Sequence, residues 1–335
     1  MDDESFAANV KLSDTRRTEL TTQIGEPKGL PAIFRRAGHR ACNSFIDFFV
    51  GSIRNTNTRS AYYRAAHGFF AWCDEHELTL ERIRPVHVAA YIELLGRSLA
   101  APTVKQNLSA VRMLFDHLVV SQVVEMNPAT AVRGPRYSTK KGKTPVLDED
   151  EARHLIDSIE SESLVGLRDR AIIAGMVYTF ARVSALVGMN LEDYYPQGKR
   201  WWARLHEKGG KLHDVPCHHK LEEALDAYVE AAHISGDKKR PLFRSAIRKT
   251  DLLSASRMTR NDVYRMVRRR AAAAGIETAV GCHSFRATGI TNYLVNGGTL
   301  EKAQQLANHE SARTTKLYDR RDDKLTLDEV ERITI

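Results

Sequence analysis

Apolar positions fall into a helical period from about residue 40 onward. Cys42, Phe45, Ile46 and Phe49 share one face. Tyr62, Ala66, Phe69, Phe70 and Cys73 share another, entered through the cap-rich Asn55-Thr56-Asn57-Thr58. A third helix is predicted after Pro85, carrying Val88, Ile92 and Leu95. The fourth repeats most clearly, with Leu108, Val111, Leu114, Phe115, Leu118 and Val119 on one stripe, and should stop before Asn127-Pro128. Four such helices predict a small bundle over residues 38–132. Residues 1–37 lack a sustained period and contain Gly25-Glu26-Pro27-Lys28-Gly29 followed by Leu30-Pro31, so they read as a flexible N-terminal arm.

Residues 133–146 break the pattern. Arg133, Arg136, Lys140, Lys141 and Lys143 lie there without an acidic residue, among Gly134, Pro135 and Pro145, which reads as an extended basic linker suited to a phosphate backbone. Gly142-Lys143-Thr144 resembles the end of a phosphate-binding loop, but Tyr137 stands where the earlier glycine belongs and Pro145 blocks the helix that should follow. The second domain, 147–335, opens on the acidic helix start Asp148-Glu149-Asp150-Glu151 and continues mostly helical, with a short helix predicted at its C-terminal tail. One β interruption is expected within it. Arg200 to His206 alternates as a strand, Leu212 to Pro216 returns, and Glu207-Lys208-Gly209-Gly210-Lys211 forms the hairpin tip.

At 335 residues the chain has room for two domains, each with its own core. Fifty Lys and Arg face 42 Asp and Glu, a net +8 that is spread over both halves and fits a polyanion such as nucleic acid touching both. The four cysteines (Cys42, Cys73, Cys217, Cys282) are isolated, which argues against a disulfide framework or a zinc ribbon and fits a reducing compartment. The N-terminus is acidic where a signal peptide would be basic, and the longest apolar run, 171–181, is too short for a bilayer. A soluble, cytoplasmic, nucleoid-associated protein without a membrane partner is the expectation.

The chemistry-bearing stretch is His283-Ser284-Phe285-Arg286, then Leu306-Ala307-Asn308-His309, then Tyr318-Asp319-Arg320-Arg321. On a helix His283 and Arg286 are i, i+3 neighbours and can address one anion. Upstream, Arg182 lies in Phe180-Ala181-Arg182-Val183-Ser184-Ala185-Leu186 and Lys208 at the hairpin tip, while His309 precedes Tyr318 by nine residues. In this order the residues resemble the tyrosine recombinase, or phage integrase, family of DNA strand-exchange enzymes. Its pattern runs from an arginine in a buried helix through a hairpin lysine, an HxxR helix start and a His or Trp to a tyrosine. The N-terminal half also looks like the family's helical core-binding domain, including the Asn127-Pro128-Ala129 exit. The resemblance implies a mainly α fold: a helical core DNA-binding bundle, then a mixed α/β, mostly helical catalytic domain with a small hairpin or sheet. Two departures stand out. The glutamate often found three positions after the first arginine is Ala185, which leaves Glu192 or Asp193 to orient Arg182, and Asn308 replaces a glycine.

Cleaving a phosphodiester without a metal needs a nucleophile, cations for the charge developing on phosphoryl oxygens, and an acid for the leaving oxygen. No acidic metal cluster is visible in the sequence, and no cofactor is expected. Tyr318 would attack and hold the DNA as a 3′-phosphotyrosine, storing the bond energy so that religation needs no ATP. Arg182 and Arg286 would clamp the non-bridging oxygens. Lys208 would be the acid, with Lys211 as its alternate on the same tip. His283 would help deprotonate Tyr318 or hold the phosphate, and His309 would donate a hydrogen bond to it. DNA-contact candidates are Arg59, Lys105, Arg112, Lys140, Lys141, and the cluster Arg265, Arg268, Arg269 and Arg270.

By resemblance, the domains would close around duplex DNA like a clamp, and a homotetramer would hold two double-stranded sites, of short inverted-repeat type, exchanging strands through a Holliday junction. Leu325, Leu327, Val330 and Ile333 form an apolar stripe that could dock in a neighbouring subunit or fold back in cis. Rival readings are a type IB topoisomerase-like enzyme, a catalytically silent DNA-binding regulator, and a metal protein built on His213, Cys217, His218, His219 and Cys282. The last matches no zinc spacing.

Overall fold

The computed structural model of the chain describes residues 30–138, 142–248 and 250–320. Contacts divide the chain into two units, the first ending at Ser138, each with its own core. The first unit runs α1 (Ala32–Arg36), α2 (His39–Asp47), α3 (Thr56–Glu75), α4 (Pro85–Gly96) and α5 (Ala101–Val120). Helices α2 to α5 are those the apolar periods predict. Helix α1 lies within the residues read as an arm, yet its Ile33 and Phe34 are buried, and the Phe34 ring meets Phe45 and Phe70 at 4.6 and 4.7 Å. Two apolar side chains are too few to make a period, which is why the pattern misses it. The rest of the expected arm, 1–29, lies outside the described residues.

Between α2 and α3 a π-helical turn, Phe48–Ser52, lets the adjacent Phe48 and Phe49 both enter the core. Asn55 caps α3, its Oδ1 accepting from the N–H of Asn57 and Thr58, each at 3.1 Å. Helix α5 ends well before Asn127-Pro128. Gln122 takes a left-handed φ of 52°, and its N–H and that of Val123 donate to Val119 and Leu118 carbonyls, closing the helix as a Schellman motif.

The second unit runs α6 (Glu149–Asp157), α7 (Leu164–Tyr178), α8 (Val183–Val187), β1 (Tyr194–Gln197), β2 (Arg200–His206), β3 (Leu212–Pro216), α9 (His219–Ala231), β4 (Arg244–Ala246), β5 (Leu253–Arg257), α10 (Arg260–Ala273), α11 (Cys282–Val295), α12 (Leu300–Leu306) and α13 (Ala312–Lys316). The acidic run opens α6 as a capping box in which Asp148 and Glu151 accept from each other's backbone N–H. Helix α7 is apolar nearly all round because α9 and α11 both pack on it: Ala171, Ile172, Ile173 and Met176 are wholly buried. Strands β2 and β3 pair antiparallel over the predicted spans, with Ala203 opposite Val215 and Leu205 opposite His213. Strand β1 on the other edge of β2, and the β4–β5 ribbon, escape the sequence reading because they are too short and too polar to alternate.

No helix among the described residues is long and apolar enough to cross a membrane. The end of the expected linker is fixed to the second unit. Gly142 N–H donates to the Leu317 carbonyl (3.1 Å), and Arg320 donates to the carbonyls of Gly142 and Thr144. Lys140 and Lys141, and the C-terminal stripe from Leu325 to Ile333, lie outside the described residues.

Gly289 of α11 lies against the end of α7. A Cβ there would stand 2.1 Å from the Val177 carbonyl oxygen and 2.9 Å from the Phe180 ring. Gly289→Ala should therefore destabilise the protein by about 1–3 kcal/mol or more, as overpacking of a filled interior does. Urea unfolding measures this, and an unchanged midpoint would contradict so close a crossing.

Candidate active site

The site residues come from five segments of the second unit. Helix α7 ends at Tyr178, and Phe180 then takes a left-handed φ of 53°, a strained setting for an aromatic residue that costs about 1–3 kcal/mol. The chain is thereby redirected so that Arg182 caps the start of α8. It stands in a turn, not inside a buried helix, and its side chain is 40% exposed. Lys208 occupies the short 3₁₀ turn Lys208–Gly210 at the β2–β3 tip, where Gly209 and Gly210 take the positive φ values (81° and 77°) that the reversal demands. The structure does not describe the Lys208 side chain. Lys211, the alternate, pairs loosely with Glu310 at the surface (3.6 Å).

Helix α11 starts behind Gly281, placing His283 in its first turn and Arg286 one turn on. Arg286 is the largest wholly buried side chain described, at 1% exposure. Its guanidinium donates through Nη1 to the Phe180 carbonyl and through Nη2 to the Ala307 carbonyl, leaving Nε buried with no partner among the described residues. Helix α12 closes through Asn308, whose φ of 45° sits at the left-handed position of a Schellman motif: Asn308 and His309 N–H donate to Gln305 and Gln304 carbonyls. Asparagine tolerates that conformation, so the loss of the glycine leaves His309 in place. His309 Nδ1 meets Thr315 Oγ1 at 2.9 Å, and its ring lies parallel to that of Tyr318 with centroids 5.8 Å apart.

Tyr318 follows α13 and is 7% exposed, packed in a small cluster with Phe180, Ala287, Ile290 and Leu294. Thr291 Oγ1 donates to its main-chain carbonyl (2.9 Å), and its Oη lies 2.7 Å from His283 Nε2. Five expected site residues thus converge: Arg182, His283, Arg286, His309 and Tyr318.

The electrostatics follow from burial amid cations. Desolvation raises the Tyr318 pKa, opposed by the positive charges of Arg286 and Arg182. Desolvation lowers His283, and the two arginines lower it further, so it stays neutral and able to accept a proton near pH 7. His309 is pushed down to about 3 by desolvation, then by Arg286, Arg182 and His283. Arg286 is lowered to about 10, chiefly by burial and then by Arg182.

The partner of Arg182 is Glu207, at 2.7 Å. Neither carboxylate expected for this task serves it. Asp193 pairs with His206 and accepts from the Asn190 N–H, while Glu192 is exposed. Sequence reading missed Glu207, although an acidic residue beside the hairpin lysine was the available signal.

Some basic residues expected at a DNA surface are engaged elsewhere. Arg59 donates twice to the Ile53 carbonyl, and Arg112 to the carbonyls of Ala129 and Val132, so both brace the bundle. Arg269 and Arg270 join Arg168 around the wholly buried Asp169, although Arg269 remains 60% exposed. Lys105, Arg265 and Arg268 are exposed. Of the rival metal set, His213 bonds the Leu306 carbonyl and His218 caps α9; no cluster of three such ligands occurs among the described residues.

Residues 145–324 match the phage integrase family and residues 50–122 match the phage integrase N-terminal SAM-like domain. The chain belongs to the phage integrase family, the tyrosine recombinases. It is 27% identical over 286 residues to tyrosine recombinase XerC of Thermodesulfovibrio yellowstonii, covering 82% of this chain and 90% of that protein. It is 28% identical over 270 residues to tyrosine recombinase XerD of Chlorobaculum tepidum, covering 78% and 85%. Its fold is similar to XerH recombinase bound to a palindromic difH substrate (TM-score 0.67, 19% identity, 89% of this chain and 85% of that one). It is also similar to a lambda integrase dimer bound to a COC′ core site (TM-score 0.62, 17% identity, 94% and 89%).

The depressed His309 pKa has a measurable consequence. Between its ordinary value of 6.5 and about 3 the unfolded chain binds a proton at this position that the native chain excludes, so acidification removes stability. This group alone contributes a slope of up to about 1.4 kcal/mol per pH unit below pH 6.5, and His283 adds to it in the same direction. Unfolding free energies measured from pH 7 to pH 5 should fall less steeply for His309→Gln than for the wild type; equal slopes would show that His309 is not held neutral.

Proposed function

We propose that this chain is a site-specific DNA recombinase that cuts and rejoins duplex DNA through a 3′-phosphotyrosine, without ATP or metal. The observation that carries the reading is the 2.7 Å contact of Tyr318 Oη with His283 Nε2, set among two arginines and a second histidine. The neutral His283 ring takes the phenolic proton as Tyr318 Oη attacks phosphorus. The bond to the 5′ oxygen breaks, and Lys208 supplies the proton that this oxygen gains. Arg182 and Arg286 offset the charge gathering on the non-bridging oxygens; the unpartnered Nε–H of Arg286 is a donor that a phosphate oxygen would satisfy. His309, stacked on Tyr318, supplies a further hydrogen bond to the phosphate. A 5′ hydroxyl from the partner duplex then reverses the step.

Strand exchange requires two cut sites held together, so the working assembly is a homotetramer on two sites that passes through a Holliday junction. A lambda integrase tetramer bound to such a junction supports this assembly. Short inverted-repeat sites are the proposed substrate. Lys105, Arg265, Arg268 and the exposed part of Arg269, with Lys140 and Lys141 of the linker, are the proposed phosphate contacts. The bundle before Ser138 serves as the core-binding domain, and the protein acts in the cytoplasm, on the nucleoid.

Nicked suicide substrates from the native locus test this reading. Wild type should become covalently attached to the 3′ phosphate and Tyr318→Phe should not. Binding without an adduct in either protein would favour a silent DNA-binding regulator, and an adduct surviving in Tyr318→Phe would mean another nucleophile. A two-site assay then separates exchange from topoisomerase-like resealing.

A further inference from the structure

Arg182 stands at the N-cap of α8, outside the helix proper. It emerges from a turn forced by the strained Phe180, and its guanidinium is 40% exposed, so its direction must be set by a partner. The described partner is the Glu207 carboxylate, 2.7 Å away and only 4% exposed. A carboxylate so buried is stable as an anion only when paired. Position 185, three residues beyond Arg182, holds a wholly buried alanine that offers no acceptor. The root of the hairpin is the nearest alternative, because α8 packs on β2: a Cβ on Gly188 would touch the His206 Cβ at 3.4 Å. Glu207 is the next residue along the strand. Its N–H donates to the Lys211 carbonyl at 2.8 Å and closes the tip that bears Lys208.

We propose that Glu207 is the positioning residue of Arg182, a carboxylate moved from α8 to the hairpin, which sets the guanidinium and the Lys208 tip by one contact. The proposal rests on the recombinase reading above. The single negative side chain also offsets repulsion between Arg182 and Arg286 before DNA arrives, since both cations act on the same tyrosine. With the carboxylate at position 185, the arginine would be held from its own helix and the tip would be free to move without it. With the carboxylate at position 207, displacing the hairpin releases Arg182, so the acid and one of the two clamps are in place together or not at all.

Single-turnover cleavage of the nicked site tests this, with DNA affinity and melting temperature measured alongside. Glu207→Gln should slow adduct formation by about 10²-fold, the scale of a misplaced catalytic group, while affinity and melting stay near wild type. Added to Arg182→Lys, the same change should cost less than about 2-fold, because a residue that acts through Arg182 has little left to lose once that side chain is altered. Glu207→Asp, which keeps the charge, should cleave faster than Glu207→Gln, and this comparison decides the matter if Gln lowers the melting temperature. Wild-type cleavage by Glu207→Gln, or an undiminished loss on top of Arg182→Lys, overturns the proposal. A wild-type protein that forms no adduct overturns the recombinase reading instead, so the two failures are separable.

Discussion

The guanidinium of Arg286 is where the second unit's segments are tied together. Rooted in α11 beside His283, it donates to the Phe180 carbonyl, in the turn that launches Arg182, and to the Ala307 carbonyl, at the end of α12 just before His309. Burying a cation this completely is costly unless its hydrogens find acceptors, and two carbonyls at chain reversals are acceptors that helices leave over. The arrangement serves both sides. Helix ends that need donors receive them, and a charge that needs acceptors is fixed where three other site residues begin. Phe180, which carries the strained φ, is fastened to Arg286 through its carbonyl.

Around this centre the charges form a gradient of commitment. Arg286 donates to two carbonyls and keeps a buried Nε with no partner among the described residues, Arg182 is half-exposed on one carboxylate, and the two histidines are kept neutral first by burial and then by the arginines' field. Tyr318 rests in a small apolar cluster, its main chain held by Thr291 and the preceding Leu317 carbonyl bonded to Gly142. Raising the phenol's pKa by burial while lowering it by nearby cations makes its ionisation depend on how close those cations stay. In the proposed reaction, a phosphate drawn between Arg182 and Arg286 would neutralise part of that field at the moment a base is needed, which would place the burden of deprotonation on His283 at 2.7 Å.

Much of this is legible in the sequence. The periods of Cys42–Phe49, Tyr62–Cys73 and Leu108–Val119 gave real helices because one buried face dominates each, and the β2–β3 hairpin was marked by alternation around Gly209-Gly210. Helix α1 and strand β1 escaped because so few residues in each are buried. At the site, His283 and Arg286 were recoverable from their spacing on one helix and Arg182, Lys208, His309 and Tyr318 from the order of a family pattern, whereas partners outside that pattern that meet only through the fold were not. Glu207 and Thr315 reach their partners across separate elements, and Phe180 contributes a carbonyl, which no residue type announces. Arg59 and Arg112 show the converse: a basic residue on a helix is as ready to satisfy orphan carbonyls as to meet DNA.

That distinction bears on how the two units' positive charge is read. Net charge is shared across the chain, but guanidinium groups that bond to carbonyls contribute long-range field without offering a phosphate a free fork. The cluster on α10 divides in this way. Arg270 and, in part, Arg269 neutralise the buried Asp169, Arg268 is exposed but reaches the Val280 carbonyl through Nη1 at 3.5 Å, and Arg265 is exposed. The same helix therefore does two jobs with one sign of charge. Its inner arginines hold α10 to Asp169 of α7, and its outer ones extend from a surface whose position that buried network fixes. A cation that must meet a phosphate in register gains from such a base, because a side chain on a rigid helix loses less freedom on binding than one on a loop.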